Sequence, residues 1–404
     1  MNNKQYDNNF KFELIDENVT LTVIKRIKNK FSSGLDGISN SLIKHMSKVL
    51  LKPLTLIINQ TLTTGIFPDK LKWSKIIPIF KKGDDSCISN YRPISLLSSV
   101  SKIFEYVILD QLTGYLVTNN ILCSEQFGFR AGYSTELAAL RLIDQMIGDI
   151  DAGKIPLNIF IDLSKAFDTL DHSILIDKLH YYGINGTELM LFKNYLTQRK
   201  QLTEVNGVMS TFQTIKTGVP QGSILGPLLF LLYINDLPRC SNYFNMIMYA
   251  DDTTLYCNID SSQASGIIIN RELNNISTWL ASNKLSLNVG KTKFMVFHST
   301  KKKVEYPILY INNFIIENIK TFNFLGLHIN NNLTWDTHIN HISLKMSKII
   351  GTMNRLKNVY PLHILHMLYN SLIVPHINYC LIMWGFHSSR ILILQKTSNA
   401  NNYK

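Results

Sequence analysis

The sequence is poor in acids. Asp and Glu number 29 against 41 Lys and Arg, leaving a formal net charge of +12. That imbalance suits a polyanionic partner, with nucleic acid the first candidate, although a merely basic soluble protein carries it equally well. Cysteine is scarce too. The five (Cys87, Cys123, Cys240, Cys257 and Cys380) are scattered, odd in number and without a C-x-x-C pair. Neither a disulfide framework nor a zinc knuckle is suggested, and a reducing compartment is the simpler inference. The opening residues, MNNKQYDNNFKFELIDENV, lack the apolar stretch of a signal peptide. The longest apolar run, residues 224–234, falls short of the roughly 20 residues that span a bilayer. No membrane is implied, and the expected location is intracellular, in the nucleus or cytoplasm. No internal repeat and no long linker is visible.

What is present is a chain of 404 residues with 46% hydrophobic content, enough for a sizeable core and two or three domains or one large fold. Residues 1 to about 30 form a polar extension with an amphipathic stretch at 19–27. Residues 38–62 predict a helix interrupted by Pro53, and WSKIIPIF (73–80) a strand with an edge proline. Residues 100–150 are mostly helical in pattern, broken by the glycines of EQFGFRAGYST. The apolar run 157–163 reads as a buried strand, and Asp171 as the N-cap of a helix that Gly183 stops. Residues 246–250 and 253–257 flank Asp251-Asp252 as a hairpin. Beyond residue 335 the pattern is helical. Ile339, Ile342, Met346, Ile349, Met353 and Leu356 make an apolar stripe, with Lys345, Lys348 and Arg355 on another face. The fold class is α+β with a helical C-terminal module.

The acids carry the chemistry. Asp162 ends an apolar strand, where a carboxylate is costly unless it is paired or binds a metal. Asp251 and Asp252 lie side by side in YADDTTLY, and a cation between them and Asp162 relieves their repulsion. Carboxylate oxygens suit hard divalent ions such as Mg²⁺. Two metals about 3.5–4 Å apart activate an attacking hydroxyl and stabilise the leaving oxygen of a phosphoryl transfer. Alternation along a strand predicts unequal roles for the adjacent pair, with Asp251 the stronger ligand. An ordinary D-D turn is the competing reading of the pair taken alone.

In chain order the segments WSKIIPIFKKGD, NYRPISLLSSVSKIFE, EQFGFRAGYST, FIDLSKAFDTLDH, GVPQGSILGPLLF, YADDTTLY, LSLNVGKTKFMVF and FNFLGLHI resemble the reverse transcriptases of non-LTR, LINE-type retrotransposons, particularly the jockey-like group. The resemblance runs from about residue 30 to 396. It implies a right-hand polymerase, with fingers and palm over 31–325 and a primer-grip remainder and partial helical thumb over 326–404. It implies an RNA-directed DNA polymerase using two Mg²⁺ per site, with Mn²⁺ able to substitute, on an RNA template, a DNA primer and dNTPs.

Residue by residue, the resemblance makes Asp162, Asp251 and Asp252 the metal-binding catalytic acids. It makes Phe167 the gate beneath the sugar and Gln221 a contact to the incoming nucleotide and templating base, in a turn ahead of a helix starting near Ser223. Asp168 and Asp171 are expected to be a turn residue and a helix cap. Arg92 is expected to grip the triphosphate, a task its bidentate guanidinium suits. Lys81 and Lys82 assist it or form a solvated basic loop. Arg130 contacts nucleotide or template, or braces the fold. Lys291 stands near the pyrophosphate leaving group, with Lys293 as fallback. Ala250 leaves room for the primer end, and Tyr249 packs at the primer terminus or in plain core. Gly326 permits the primer hairpin's close approach, and Lys345, Lys348 and Arg355 face the duplex backbone. The pairs His338-x-x-His341 and His363-x-x-His366 are not read as zinc ligands. No endonuclease pattern precedes these segments, so target nicking is expected from another protein or a missing domain, and the thumb reads as cut short. The alternatives are a catalytically silent nucleic-acid-binding remnant and an intron-encoded maturase-type enzyme.

Overall fold

The structure, a computed structural model, describes residues 9–260, 263–298 and 306–387. The family-like ILILQK and the polar tail after it lie outside the described residues. Helices α1 (Glu17–Arg26), α2 (Asn40–His45) and α3 (Ser47–Thr64) lead into strands β1 (Trp73–Phe80) and β2 (Tyr91–Leu97). Then come α4 (Ser99–Thr118), α5 (Thr135–Asp151), β3 (Ile155–Ile161), the single turn α6 (Ala166–Thr169), α7 (His172–Tyr181) and α8 (Gly186–Leu196). Strands β4 (Lys200–Val205), β5 (Val208–Met209) and β6 (Gln213–Thr214) precede α9 (Gly226–Ile234), β7 (Asn245–Tyr249), β8 (Asp252–Ile259), α10 (Gln263–Ser282) and β9 (Lys293–Val296). Short strands follow: β10 (Tyr310–Ile311), β11 (Phe314–Ile315), β12 (Glu317–Asn318), β13 (Thr321–Phe324) and β14 (Leu327–Asn330). Helices α11 (Asp336–Leu356), α12 (Leu362–Leu372), α13 (Val374–Asn378) and α14 (Leu381–Trp384) close the described chain. The mixture is α+β.

The chain divides into two compact units. The first comprises the described residues of Met1–Phe129, Leu163–Cys240 and Thr278–Ser286. Its sheet has the order β2-β1-β4-β5, with β6 on β4. Strand β1 runs antiparallel to β2 along its length but parallel to β4 only from Trp73 to Ile76. So β1 is an inner strand at its start, and Pro78, which faces Pro93, sits where just one neighbour remains. There the missing N–H of proline costs no ladder bond on the open side. Pro53 does not break its helix. It lies inside α3, and the chain bends instead at Met46, between α2 and α3. The carbonyl that loses its partner to the proline belongs to Val49, a residue 69% exposed. The core of this unit includes α9, whose residues Leu228 to Ile234 are all buried.

The second unit comprises the described residues of Arg130–Asp162, Ser241–Ser277 and Leu287–Lys404. Its five-stranded sheet has the order β12-β9-β3-β8-β7. All seven residues of β3 are buried, as expected of a central strand covered on both faces. Strand β3 pairs antiparallel with β8 from Ile155↔Ile259 to Ile161↔Thr253, and β7 with β8 up to Tyr249↔Asp252. On α11 the buried stripe is Ile339, Ile342, Met346, Ile350 and Met353, whereas Ile349 is half-buried. Steps of three and four residues track one face of a 3.6-residue period, and both Ile349 and Ile350 keep such a step, so which of them is buried is decided by the packing.

Candidate active site

In the second unit β3 delivers Asp162 to the end of a fully buried strand, where its side chain is 37% exposed. The loop before β9 is tied to that point. The Asn288 N–H donates to the Asp162 carbonyl at 2.8 Å, and the Asp162 N–H donates to Thr292 Oγ1 at 3.5 Å. This anchoring brings Lys291 Nζ to 3.5 Å from Asp162 Oδ2. Lys293 is engaged elsewhere, with Glu317 at 2.7 Å. On the adjoining strand, the pairing Ile161↔Thr253 sets Asp252 one register position from the partner of the strand's last residue. Asp251 is half-buried and Asp252 exposed. Tyr249 is half-buried opposite Asp252. Ala250 closes this turn at φ +55° while buried. A left-handed conformation costs a residue with a β-carbon roughly 1–2 kcal/mol, so a small side chain held there marks a turn fixed by its surroundings.

Carboxylate oxygens are the donors a hard divalent cation takes, and the three acids lie at neighbouring strand ends. Among the described residues, however, no three His, Cys, Asp or Glu side chains are gathered closely enough to hold a metal ion. The donor set fits such a cation in chemistry, and the pairing of β3 with β8 sets its backbone positions side by side.

In the first unit the loop carrying Gln221 is pinned on both sides. The Gly218 N–H donates to the Leu170 carbonyl at 2.7 Å, the Val219 N–H to that of Phe167 at 2.9 Å, and the Ser95 N–H of β2 to that of Gln221 at 2.8 Å. His172 Nε2 donates to the Gly218 carbonyl at 2.8 Å. Two glycines permit this approach. A β-carbon on Gly218 (φ +80°) would lie 2.5 Å from the Asp168 carbonyl oxygen, and one on Gly222 (φ +135°) 2.4 Å from that of Ser95. The Gln221 amide donates through Nε2 to Asp168 Oδ1 at 2.8 Å. Burial raises the Asp168 carboxyl above its usual pKa, with Gln221 and Lys165 pulling the other way. Asp168 is therefore more than the turn residue the sequence suggested. Asp171 does cap α7, accepting from the N–H groups of Ser173 and Ile174. Phe167 is half-buried, stacked on Phe230 at 4.3 Å between ring centroids and edge-on to Phe129 at 6.3 Å. Arg92 is exposed on β2, the strand that also receives the Gln221 carbonyl, and Lys81 and Lys82 are exposed in the turn between β1 and β2.

Residues 79–329 match the reverse transcriptase (RNA-dependent DNA polymerase) family. The chain belongs to this family. It is 30% identical over 396 residues to the probable RNA-directed DNA polymerase from transposon BS of Drosophila melanogaster, covering 92% of this chain and 43% of that protein. It is 29% identical to the corresponding protein of transposon X-element, over 92% of this chain and 42% of that one. To the RNA-directed DNA polymerase from mobile element jockey, also of Drosophila melanogaster, it is 28% identical over 92% of this chain and 42% of that one. The chain thus spans less than half the length of these relatives. Among the described residues no helix is long and apolar enough to cross a membrane.

Two features of this reverse transcriptase chain escaped the sequence. The first is Glu105 on α4, fully buried. Its Oε2 accepts the N–H groups of Ile224 and Leu225 at 2.6 and 3.2 Å, and its Oε1 the Ser101 hydroxyl at 3.0 Å. Burial pushes its carboxyl pKa up, and the nearby Arg199 guanidinium and the backbone donors oppose that. The carboxylate thus takes up backbone donors just ahead of α9, which begins at Gly226, its N–H donating to Ser223 Oγ at 3.0 Å. The available signal was an acid among apolar residues at helical spacing, since Ser101, Ile108 and Leu112 share its buried face. The second is a histidine group. His328 N–H donates to His338 Nδ1 at 3.2 Å, and the His328 and His341 rings are 4.3 Å apart. Desolvation, with His328, His341 and Lys345 adding like charge, pushes His338 down to about 4.

The remaining residues fall as follows. Arg130 lays its guanidinium 4.2 Å from the centroid of Tyr133. Gly326, at φ +92°, closes the β13–β14 hairpin after Leu325, whose carbonyl accepts the Tyr379 hydroxyl. Its positive φ serves the hairpin turn, and a β-carbon there would meet the Tyr379 ring at an ordinary 3.6 Å. Lys345, Lys348 and Arg355 are exposed on one face of α11.

Proposed function

We propose that this chain is the polymerising part of a non-LTR retrotransposon protein, an RNA-directed DNA polymerase that extends a DNA primer on an RNA template with dNTPs. The observation that carries this reading is the family match over 79–329 with acids at the ends of two paired strands, β3 and β8, inside it. In the right-hand description, residues 31–325 are fingers and palm, and 326–404 the primer-grip remainder and helical thumb. Asp162, Asp251 and Asp252 would hold two divalent cations, Mg²⁺ with Mn²⁺ able to substitute, which supply activation of the primer 3′-hydroxyl and stabilisation of the leaving oxygen. Asp162 orients Lys291, whose ammonium offsets charge developing on the departing pyrophosphate. Arg92 grips the triphosphate, Phe167 excludes a 2′-hydroxyl and Gln221 meets the nucleotide. Arg130 and the lysines 81 and 82 add positive charge on the nucleotide path. Tyr249 and Gly326 contact the primer strand, and Lys345, Lys348 and Arg355 the duplex backbone. Nicking of the target falls to an endonuclease in another protein or domain.

A second reading, a nucleic-acid-binding remnant without catalysis, draws on the net charge of +12, which suits a polyanion whether or not the site is active. One experiment separates the two. The purified chain, offered poly(rA)/oligo(dT), dTTP and Mg²⁺ or Mn²⁺, should synthesise DNA, and Asp251→Asn should abolish it. Salt-dependent binding of primer–template without synthesis would sink the polymerase reading in favour of the remnant.

A further inference from the structure

Asp168 fixes which end of the Gln221 amide faces outward. An ionised carboxylate only accepts hydrogen bonds, so the 2.8 Å contact turns Gln221 Nε2 towards Asp168 Oδ1 and Oε1 away from it. Asp168 is itself held on the one-turn α6. Its N–H donates to the Lys165 carbonyl at 2.8 Å, and its carbonyl accepts the Thr217 hydroxyl at 3.2 Å. The Gln221 backbone is tied to β2 through Ser95, and Gly218 leaves no room between its loop and Asp168. Both ends of the bond are thus immobilised by backbone contacts, which is the condition for an amide to keep one orientation.

We infer that Asp168 is a positioning residue for nucleotide selection: by engaging one Nε2 hydrogen of Gln221 it sets the amide so that Oε1 is presented as an acceptor to the incoming dNTP. The nucleotide group that meets Gln221 is then a hydroxyl or amino donor. This rests on the reading of Gln221 as a nucleotide contact. Asp168→Asn keeps the size of the side chain but carries both an acceptor and a donor, so the Gln221 amide can turn over.

The test measures dNTP affinity for the full chain on a dideoxy-terminated primer–template, together with KM and kcat for incorporation. The variants are Gln221→Ala, Asp168→Asn, Asp168→Ala and the double variant of the first two. Gln221→Ala should weaken dNTP binding about tenfold, the loss of one hydrogen bond. Asp168→Asn should raise dNTP KM severalfold with kcat nearly unchanged, and should add nothing once Gln221 is Ala. A loss from Asp168→Asn that is equal with and without Gln221 overturns the inference, because Asp168 then acts on the fold. So does unchanged dNTP affinity in both Asp168 variants while Gln221→Ala weakens it. Unchanged affinity in Gln221→Ala removes instead the reading on which the inference rests. Asp168→Ala, checked by circular dichroism, gives the same comparison if the Asn variant is misfolded.

Discussion

Truncating Glu105 to alanine tests the reasoning about the loop ahead of α9 most directly. The carboxylate is buried and satisfies two backbone N–H groups and one hydroxyl. Each buried donor left without a partner costs about 1–3 kcal/mol. The Arg199 guanidinium, also buried, loses a nearby opposite charge, which adds to that cost. The terms overlap, and water entering the vacated space recovers part of them, so a net loss of about 3–5 kcal/mol is expected. With a urea m-value of about 1–3 kcal/mol/M, the unfolding midpoint of the first unit should drop by roughly 1–5 M. Hydrogen exchange supplies the local readout: the amides of Ile224 and Leu225 should lose protection before the rest of α9. Glu105→Gln keeps an oxygen for both N–H groups and should restore their protection while leaving Arg199 uncompensated. A loss below about 1 kcal/mol with those amides still protected would refute the account.

Asp149 is pulled down to about 2 by Lys154, the Tyr256 hydroxyl and Asn258. A depressed carboxylate contributes stability above its unfolded value near 4 that is lost as pH falls through about 2. Tyr256→Phe should therefore move the acid unfolding midpoint, followed by circular dichroism, to higher pH. His338 is depressed as well, to about 4, so its contribution is present above about 6.5 and lost as pH falls towards 4. His338→Gln, which can still accept the His328 N–H, should flatten the stability profile across that window. If Lys345, Lys348 and Arg355 contact duplex phosphates, alanine at each should lower the slope of log affinity against log salt by about 0.9. An unchanged slope would remove α11 from the duplex path.

Much of the element pattern was legible because it depends on local chemistry. The all-apolar stretch of β3, the hairpin of β7 and β8 around Asp251-Asp252, the Asp171 cap and the stop at Gly183 each follow from a few adjacent residues. The misses came where a distant partner intervened. Ser223 sits at a helix start, as read, but the carboxylate that takes the N–H groups after it lies more than a hundred positions earlier. Pro53 reads as a break, but α3 runs through it. Pro78 reads as an edge residue, and the sheet agrees over just half its strand.

The same division holds for the candidate site. The motifs in order were sufficient to name the family and to nominate Asp162, Asp251, Asp252 and Gln221, because each motif is a short run whose residue types suit one task. The sequence could not pair Asp168 with Gln221, 53 positions apart. It put Lys291 ahead of Lys293 but could not show that Lys291 stands beside Asp162 while Lys293 pairs with Glu317. Those pairings depend on how β-strands and loops register across the unit, which no local pattern encodes. Residue types and their order are a property of the chain, whereas the partner of a buried charge or an amide is decided by what the fold brings within 3 Å of it.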